Sequence, residues 1–251
     1  MNKQLNFGFK LQQGFSLIEM AIVMVIVGAL LGGLLVSLSS TQEMNNRNSA
    51  ESEIDEIMEA LYGYAQATGR LPCPATATSN GAEDPVGGGN CNQPYGFVPS
   101  ATLGLSGSLN GDGLLMDPWL NPYRYAVSQA NGDAFTEVPT LPSAAPPAGI
   151  RGITIPSLTP DLRVCGEAAC TNIVASGLPA VVLSMGADWA EFTGADADAT
   201  ENAEGTTAGY RHGNDVNYVS SGYIEDVFDD VVRWMSPNLL YTRMISAGQL
   251  P

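Results

Sequence analysis

The sequence predicts an α+β protein: a long N-terminal helix packed against a C-terminal head whose sheet is mostly antiparallel. Three observations carry this expectation. Residues 15–38 are almost uninterruptedly apolar and contain no Lys, Arg or Pro. Residues 41–67 turn polar yet stay free of proline, with Ile54, Ile57, Met58, Leu61, Tyr62 and Ala65 recurring at three- and four-residue steps, the spacing of one buried helical stripe. Beyond residue 69, short runs rich in β-branched and aromatic residues alternate with Pro, Gly and Asn clusters, as strands alternate with turns.

The helix comes in two halves. Phe15 to Leu38 is long enough to cross a bilayer, which takes about 20 residues at 1.5 Å rise, so residues 15–38 read as membrane-spanning and residues 39–68 as soluble. Together they would extend on the order of 80 Å. Glu51, Glu53, Asp55, Glu56 and Glu59 fall mostly opposite the apolar stripe and read as a solvated face. Gly28 and Gly32 have the G-x-x-x-G spacing that suits close helix approach, and they also weaken the helix locally. Gly69 followed by Pro72 ends it.

Ahead of the apolar run lies a polar leader, residues 1–14, whose only charged side chains are Lys3 and Lys10. The positive-inside rule keeps this leader cytoplasmic and translocates the C-terminal mass. A secretory signal would place its small-residue cleavage site after the apolar region; here Gly14 comes before it. Within that region, Glu19 would cost roughly 2.5–3.5 kcal/mol at a bilayer centre, and much less when paired with an opposite charge. A plain membrane anchor with Glu19 near the headgroups is the other reading.

Gly14-Phe15-Ser16-Leu17-Ile18-Glu19 resembles the precursor motif of the type IV pilin and type II secretion pseudopilin superfamily, Gly followed by F-[ST]-L-[ILV]-E, at every position. The resemblance implies cleavage between Gly14 and Phe15 by a membrane prepilin peptidase, and methylation of the new Phe15 amino group. It also implies that Glu19 neutralises the terminal ammonium of a neighbouring subunit during assembly. The implied partners are other pilin or pseudopilin subunits, the peptidase, an inner-membrane assembly platform and membrane lipid. The implied location is the inner membrane, single pass with the head in the periplasm, and then a filament in the periplasm or at the cell surface. Many major pilins carry a proline in this helix where this chain has Val36.

The head, residues 69–251, is of domain size and able to bury its own core. Residues 71–113 read as a long loop region. Asp117-Pro118-Trp119-Leu120-Asn121-Pro122-Tyr123 resembles the D-P-W-G-N-P-Y segment of major pseudopilins, with Leu120 at the glycine position. Its prolines set turns, and Trp119 and Tyr123 supply core surface. Strands are expected at Tyr123–Ser128, Gly152–Ile155, Leu162–Cys165, Leu178–Ser184, Tyr218–Tyr223 and Asp230–Met235, the Leu178–Ser184 run being fully buried. Ser236-Pro237 has helix-start chemistry, with a helix to follow over Asn238–Ala247 and Gly248 ending it.

Cys73, Cys91, Cys165 and Cys170 all fall on the translocated side, where an even count favours two disulfides. Of three connectivities, Cys73–Cys91 with Cys165–Cys170 is the least entangled. Zinc is disfavoured, since neither pair has C-x-x-C spacing and His212 is the sole histidine. Residues 186–209 are acidic without a basic residue: either a mobile solvated loop, or a Ca²⁺ site on Asp188, Asp196 and Asp198, since hard oxygen ligands would relieve the repulsion. The latter sequence lacks the EF-hand glycine.

Ten basic residues stand against 26 acidic ones. Loss of Lys3 and Lys10 leaves 8 against 26, or −18, with eight scattered arginines, a balance that disfavours nucleic acid. No G-x-S-x-G, H-E-x-x-H or P-loop element accompanies His212, which reads as a turn residue. The expectation is a structural, non-enzymatic subunit without a cofactor, of minor pilin or pseudopilin type. A surface-binding adhesin and a membrane-tethered periplasmic hydrolase are the alternatives.

Overall fold

The structure is a computed structural model that describes residues 16–139, 148–187, 197–203, 216–224 and 228–250, with the backbone alone for residues 31–40. The chain divides into two compact units, Met1–Asn45 and Asn46–Pro251. Helix α1, Leu17–Thr68, contributes to both and is unbroken through Gly28, Gly32 and Gly33. In the first unit the apolar side chains from Leu17 to Leu30 are exposed. Among the described residues no helix is long and apolar enough to cross a membrane. Phe15 and the side chains of residues 31–40, part of the expected span, lie outside them.

The second unit is built on a four-stranded antiparallel sheet. Its order is β1 (Tyr95–Phe97), β2 (Arg124–Val127), β5 (Ala180–Ser184), β7 (Val231–Trp234). A three-stranded sheet has β3 (Leu162–Cys165) at its centre, antiparallel to β4 (Ile173–Leu178) and parallel to β6 (Asn217–Val219). Short helical turns α2 (Ser100–Leu103), α3 (Ala130–Asp133) and α4 (Ala197–Ala203) join them, and α5 (Pro237–Ser246) closes the chain. The sheets are mostly antiparallel, as expected of the head.

Packing follows from the pleat, which sends alternate side chains to opposite faces. One face of the larger sheet, with Tyr123, Tyr125, Val127, Val182 and Val231, buries the α1 stripe Ile54, Ile57, Met58, Leu61, Tyr62 and Ala65 together with Leu240 and Met244 of α5. The other face, with Ala126, Val181, Leu183 and Val232, packs on Leu162, Val164, Leu178 and Tyr218 of the smaller sheet. β5 therefore lies between two layers and all five of its residues are buried, which explains its unbroken apolar run.

The outer side of α1 is more structured than a solvated face. Glu51 and Asp55 meet Arg233 of β7 at 3.4 and 3.7 Å, and Glu59 accepts two hydrogen bonds from Arg243 of α5 at 2.6 and 2.9 Å. The helix ends at Thr68, where Gly69 takes φ 80°, and a Cβ there would meet the Gln249 amide oxygen and the Pro139 ring at 2.9 Å. The Gln249 side-chain amide donates to the Gln66 carbonyl at 3.0 Å, and Arg151 Nε donates to the Gln249 carbonyl at 2.7 Å. The C-terminal tail thus satisfies carbonyls that the end of a helix leaves open.

Four expectations need correction. Gly152–Ile155 is not a strand; 3₁₀ turns occupy Ile150–Gly152 and Ile155–Ser157, because Pro156 cannot join a ladder and Arg151 is committed to the tail. The run 178–184 is split at Pro179, and its first residue ends β4 in the other sheet. Residues 71–113 hold β1 and α2 as well as loops. Residues 197–203, expected within a solvated loop, form α4, whose Ala199 packs against Val219 and Phe228. The Asn202 side chain pairs with both the N–H and C=O of Val219, at 2.7 and 2.8 Å, and so extends the β6 ladder sideways.

Candidate functional site

At the start of α1 the motif residues make their own helix cap. The Ser16 hydroxyl accepts the Ile18 N–H at 3.2 Å, and the Ser16 carbonyl accepts the Glu19 N–H at 3.0 Å. The Glu19 carboxylate reaches back to the Ser16 N–H at 3.4 Å. Ser16 thus caps the helix through its hydroxyl while Glu19 supplies the return half of a capping box, with a negative charge in the first turn where the helix dipole favours it. The cap role of Ser16 is signalled in the sequence by its S-x-x-E spacing to Glu19. Gly14 and Phe15 lie outside the described residues.

The Asp117–Tyr123 segment forms a built polar turn. Asp117 Oδ1 accepts the Trp119 and Asn121 N–H groups at 3.0 and 2.8 Å, and Oδ2 accepts the Ser184 hydroxyl at 2.5 Å. The Asn121 side-chain amide donates to the Gly186 carbonyl at 2.5 Å, tying the turn to the end of β5. Burial pushes the Asp117 carboxyl up to about 6, against the opposing effect of its three donors. Leu120 adopts φ 68°, the left-handed conformation for which glycine is the ordinary choice. Tyr123 is buried and its hydroxyl donates to Glu53 of α1 at 2.8 Å.

A second polar cluster clips the first head loop to the end of α1. Arg70 and Glu83 are both buried and form a two-pronged pair at 2.8 and 2.7 Å. Glu83 also accepts the N–H groups of Cys73 and Gly87 at 3.1 and 3.2 Å. Burial alone would raise the Glu83 carboxyl; the hydrogen bonds and charge of Arg70, with the two backbone donors, outweigh it and hold the group below its ordinary value. Gly88 leaves room for the guanidinium, which a Cβ would strike at 2.3 Å.

Disulfides join Cys73 to Cys91 and Cys165 to Cys170, with Cα separations of 5.4 and 5.1 Å. The first closes the loop that Glu83 occupies, and the second closes the β3–β4 hairpin. Of the residues considered for calcium, Asp198 lies in the first turn of α4 and its Oδ1 accepts the Ala168 N–H at 2.7 Å. Asp188, Asp196 and His212 lie outside the described residues. Among the described residues no cluster of three or more His, Cys, Asp or Glu side chains is arranged to hold a metal.

The class the fold defines is α+β, a long N-terminal helix that opens with a Ser–Glu cap and packs against mostly antiparallel sheets. Residues 9–35 match the prokaryotic N-terminal methylation motif, consistent with the type IV pilin and pseudopilin superfamily. The match stops before the head. No curated protein and no solved structure matches the chain.

Proposed function

We propose that this chain is a structural subunit of a type IV pilus or type II secretion filament, of minor pilin or pseudopilin type. Residues 1–14 are a leader, residues 15–38 span the inner membrane, residues 39–68 brace the head, and residues 69–251 form the head on the periplasmic side. Prepilin peptidase removes the leader between Gly14 and Phe15, the Phe15 amine is methylated, and an assembly platform draws the subunit into the filament. The observation that carries this reading is the methylation motif at residues 9–35. A minor role is supported by the long head loops and by the charge of −18 that 8 basic and 26 acidic residues leave once Lys3 and Lys10 are removed, which disfavours repeated contact between identical heads.

Glu19 serves two ends in this account. In the subunit its carboxylate caps α1; at assembly it is the one acidic group of residues 15–38 and stands ready for a neighbour's terminal ammonium. Two opposite charges in lipid cost far less paired than apart. Glu19→Ala leaves membrane insertion and leader cleavage intact and reduces incorporation into filaments at least tenfold, as read by immunoblot of the sheared filament fraction. Incorporation at the wild-type level would remove the charge-pairing role.

A further inference from the structure

A cleft of about 450 Å³ opens between α1 and the loops 105–108 and 115–120. Glu53 and Glu56 line its helical wall, while Leu105, Met116 and Leu120 give it an apolar side; Asp117, on the opposite wall, is buried with both carboxylate oxygens already hydrogen-bonded within its turn. Among the described residues no basic side chain lines the cleft. We infer that this cleft receives a cationic side chain, lysine or arginine, from a different subunit of the filament; the inference rests on the filament reading above.

Charge complementarity selects that occupant. Along α1, Glu51, Asp55 and Glu59 have arginines of their own head, Arg233 and Arg243. Glu53 and Glu56 point the other way: Glu53 holds only the Tyr123 hydroxyl, and Glu56, exposed, has no ionic partner among the described residues. The chain beyond the leader has no lysine, so a lysine side chain must come from another protein. Its described arginines are engaged within the head, except Arg163, which is exposed on β3 with no ion pair among the described residues. β3 belongs to the sheet on the far side of the larger sheet from α1, so Arg163 cannot reach the cleft of its own chain. The apolar side, with Leu120 68% exposed, matches the methylene stem that lysine and arginine carry below their charge.

The test uses the full-length protein in cells that assemble the filament. Glu56→Arg, which breaks no internal bond, keeps the melting temperature of the purified chain and lowers filament incorporation about tenfold, since like charges at a contact are strongly disfavoured. A photo-crosslinking residue in place of Ser106 yields an adduct with a different filament subunit through a Lys- or Arg-containing peptide, and reversing that partner's charge restores incorporation of Glu56→Arg. Unchanged incorporation, an adduct through a peptide without a basic residue, or an adduct with a second copy through Arg163 would each overturn the proposal. Absence of the wild-type chain from the sheared filament fraction would overturn the filament reading itself, whereas wild-type incorporation that Glu56→Arg leaves unchanged overturns the cleft assignment alone.

Discussion

Leu120 holds a left-handed backbone that costs an L-residue roughly 1–2 kcal/mol, at a position where its side chain is largely exposed. Leu120→Gly relieves that cost and gives back part of it as chain entropy, so a net stabilisation of about 0.5–1 kcal/mol is expected in urea unfolding. Three residues away, Asp117 has a folded-state pKa of about 6 against 3.8 unfolded. The folded state therefore binds the proton more tightly: this group's contribution is complete below about pH 4 and is lost as pH rises through 6, by up to about 3 kcal/mol at 1.36 kcal/mol per unit. Asp117→Asn, which keeps an acceptor for the two backbone N–H groups, flattens the stability profile between pH 4 and 7; an unchanged profile would place the proton elsewhere. Tyr241 is a simpler case, since its buried hydroxyl has no hydrogen-bond partner among the described residues, and Tyr241→Phe is neutral or stabilising. None of these three environments was legible in sequence, because each depends on which distant segment covers the side chain.

The soluble half of α1 was the most legible element, since a 3.6-residue stripe reports its own buried face whatever lies opposite. All six stripe residues are in the core, and Leu61→Ala is expected to cost about 2–5 kcal/mol in denaturant unfolding, as buried leucines do. The Arg70–Glu83 clip was not legible: Arg70 follows the helix end and Glu83 sits in a Pro- and Gly-rich loop, and nothing in the spacing announces a buried pair. Glu83→Gln strands the Arg70 charge and costs about 3–5 kcal/mol; a loss under 1 kcal/mol would show that water reaches the guanidinium. β4 was missed beyond its last residue because its side chains are mostly exposed and so carry no alternation. Paired to β3 with two register shifts, it is an edge strand whose irregular register protects it from pairing with other chains. The acidic stretch misled for a related reason: charge density spoke for a loop, while Ala199 and Ala203 supplied a small apolar face that only β6 and Phe228 make visible.

At the scale of the whole molecule, the two ends of the chain carry different kinds of information. The proposed processing motif is local, six consecutive residues from Gly14 to Glu19, and a contiguous motif can be read without knowing any tertiary contact. The head is written non-locally: its two-sheet layering emerges only when β5 is placed between α1 and the smaller sheet. The proposed filament role requires removal of the leader between Gly14 and Phe15, after which the chain retains no lysine. The most direct test is intact mass and N-terminal sequencing of the protein purified from native membranes with an active prepilin peptidase. A chain that begins at N-methylated Phe15 is the expected result. A chain that retains residues 1–14 would contradict the account and leave the N-terminal helix a simple anchor.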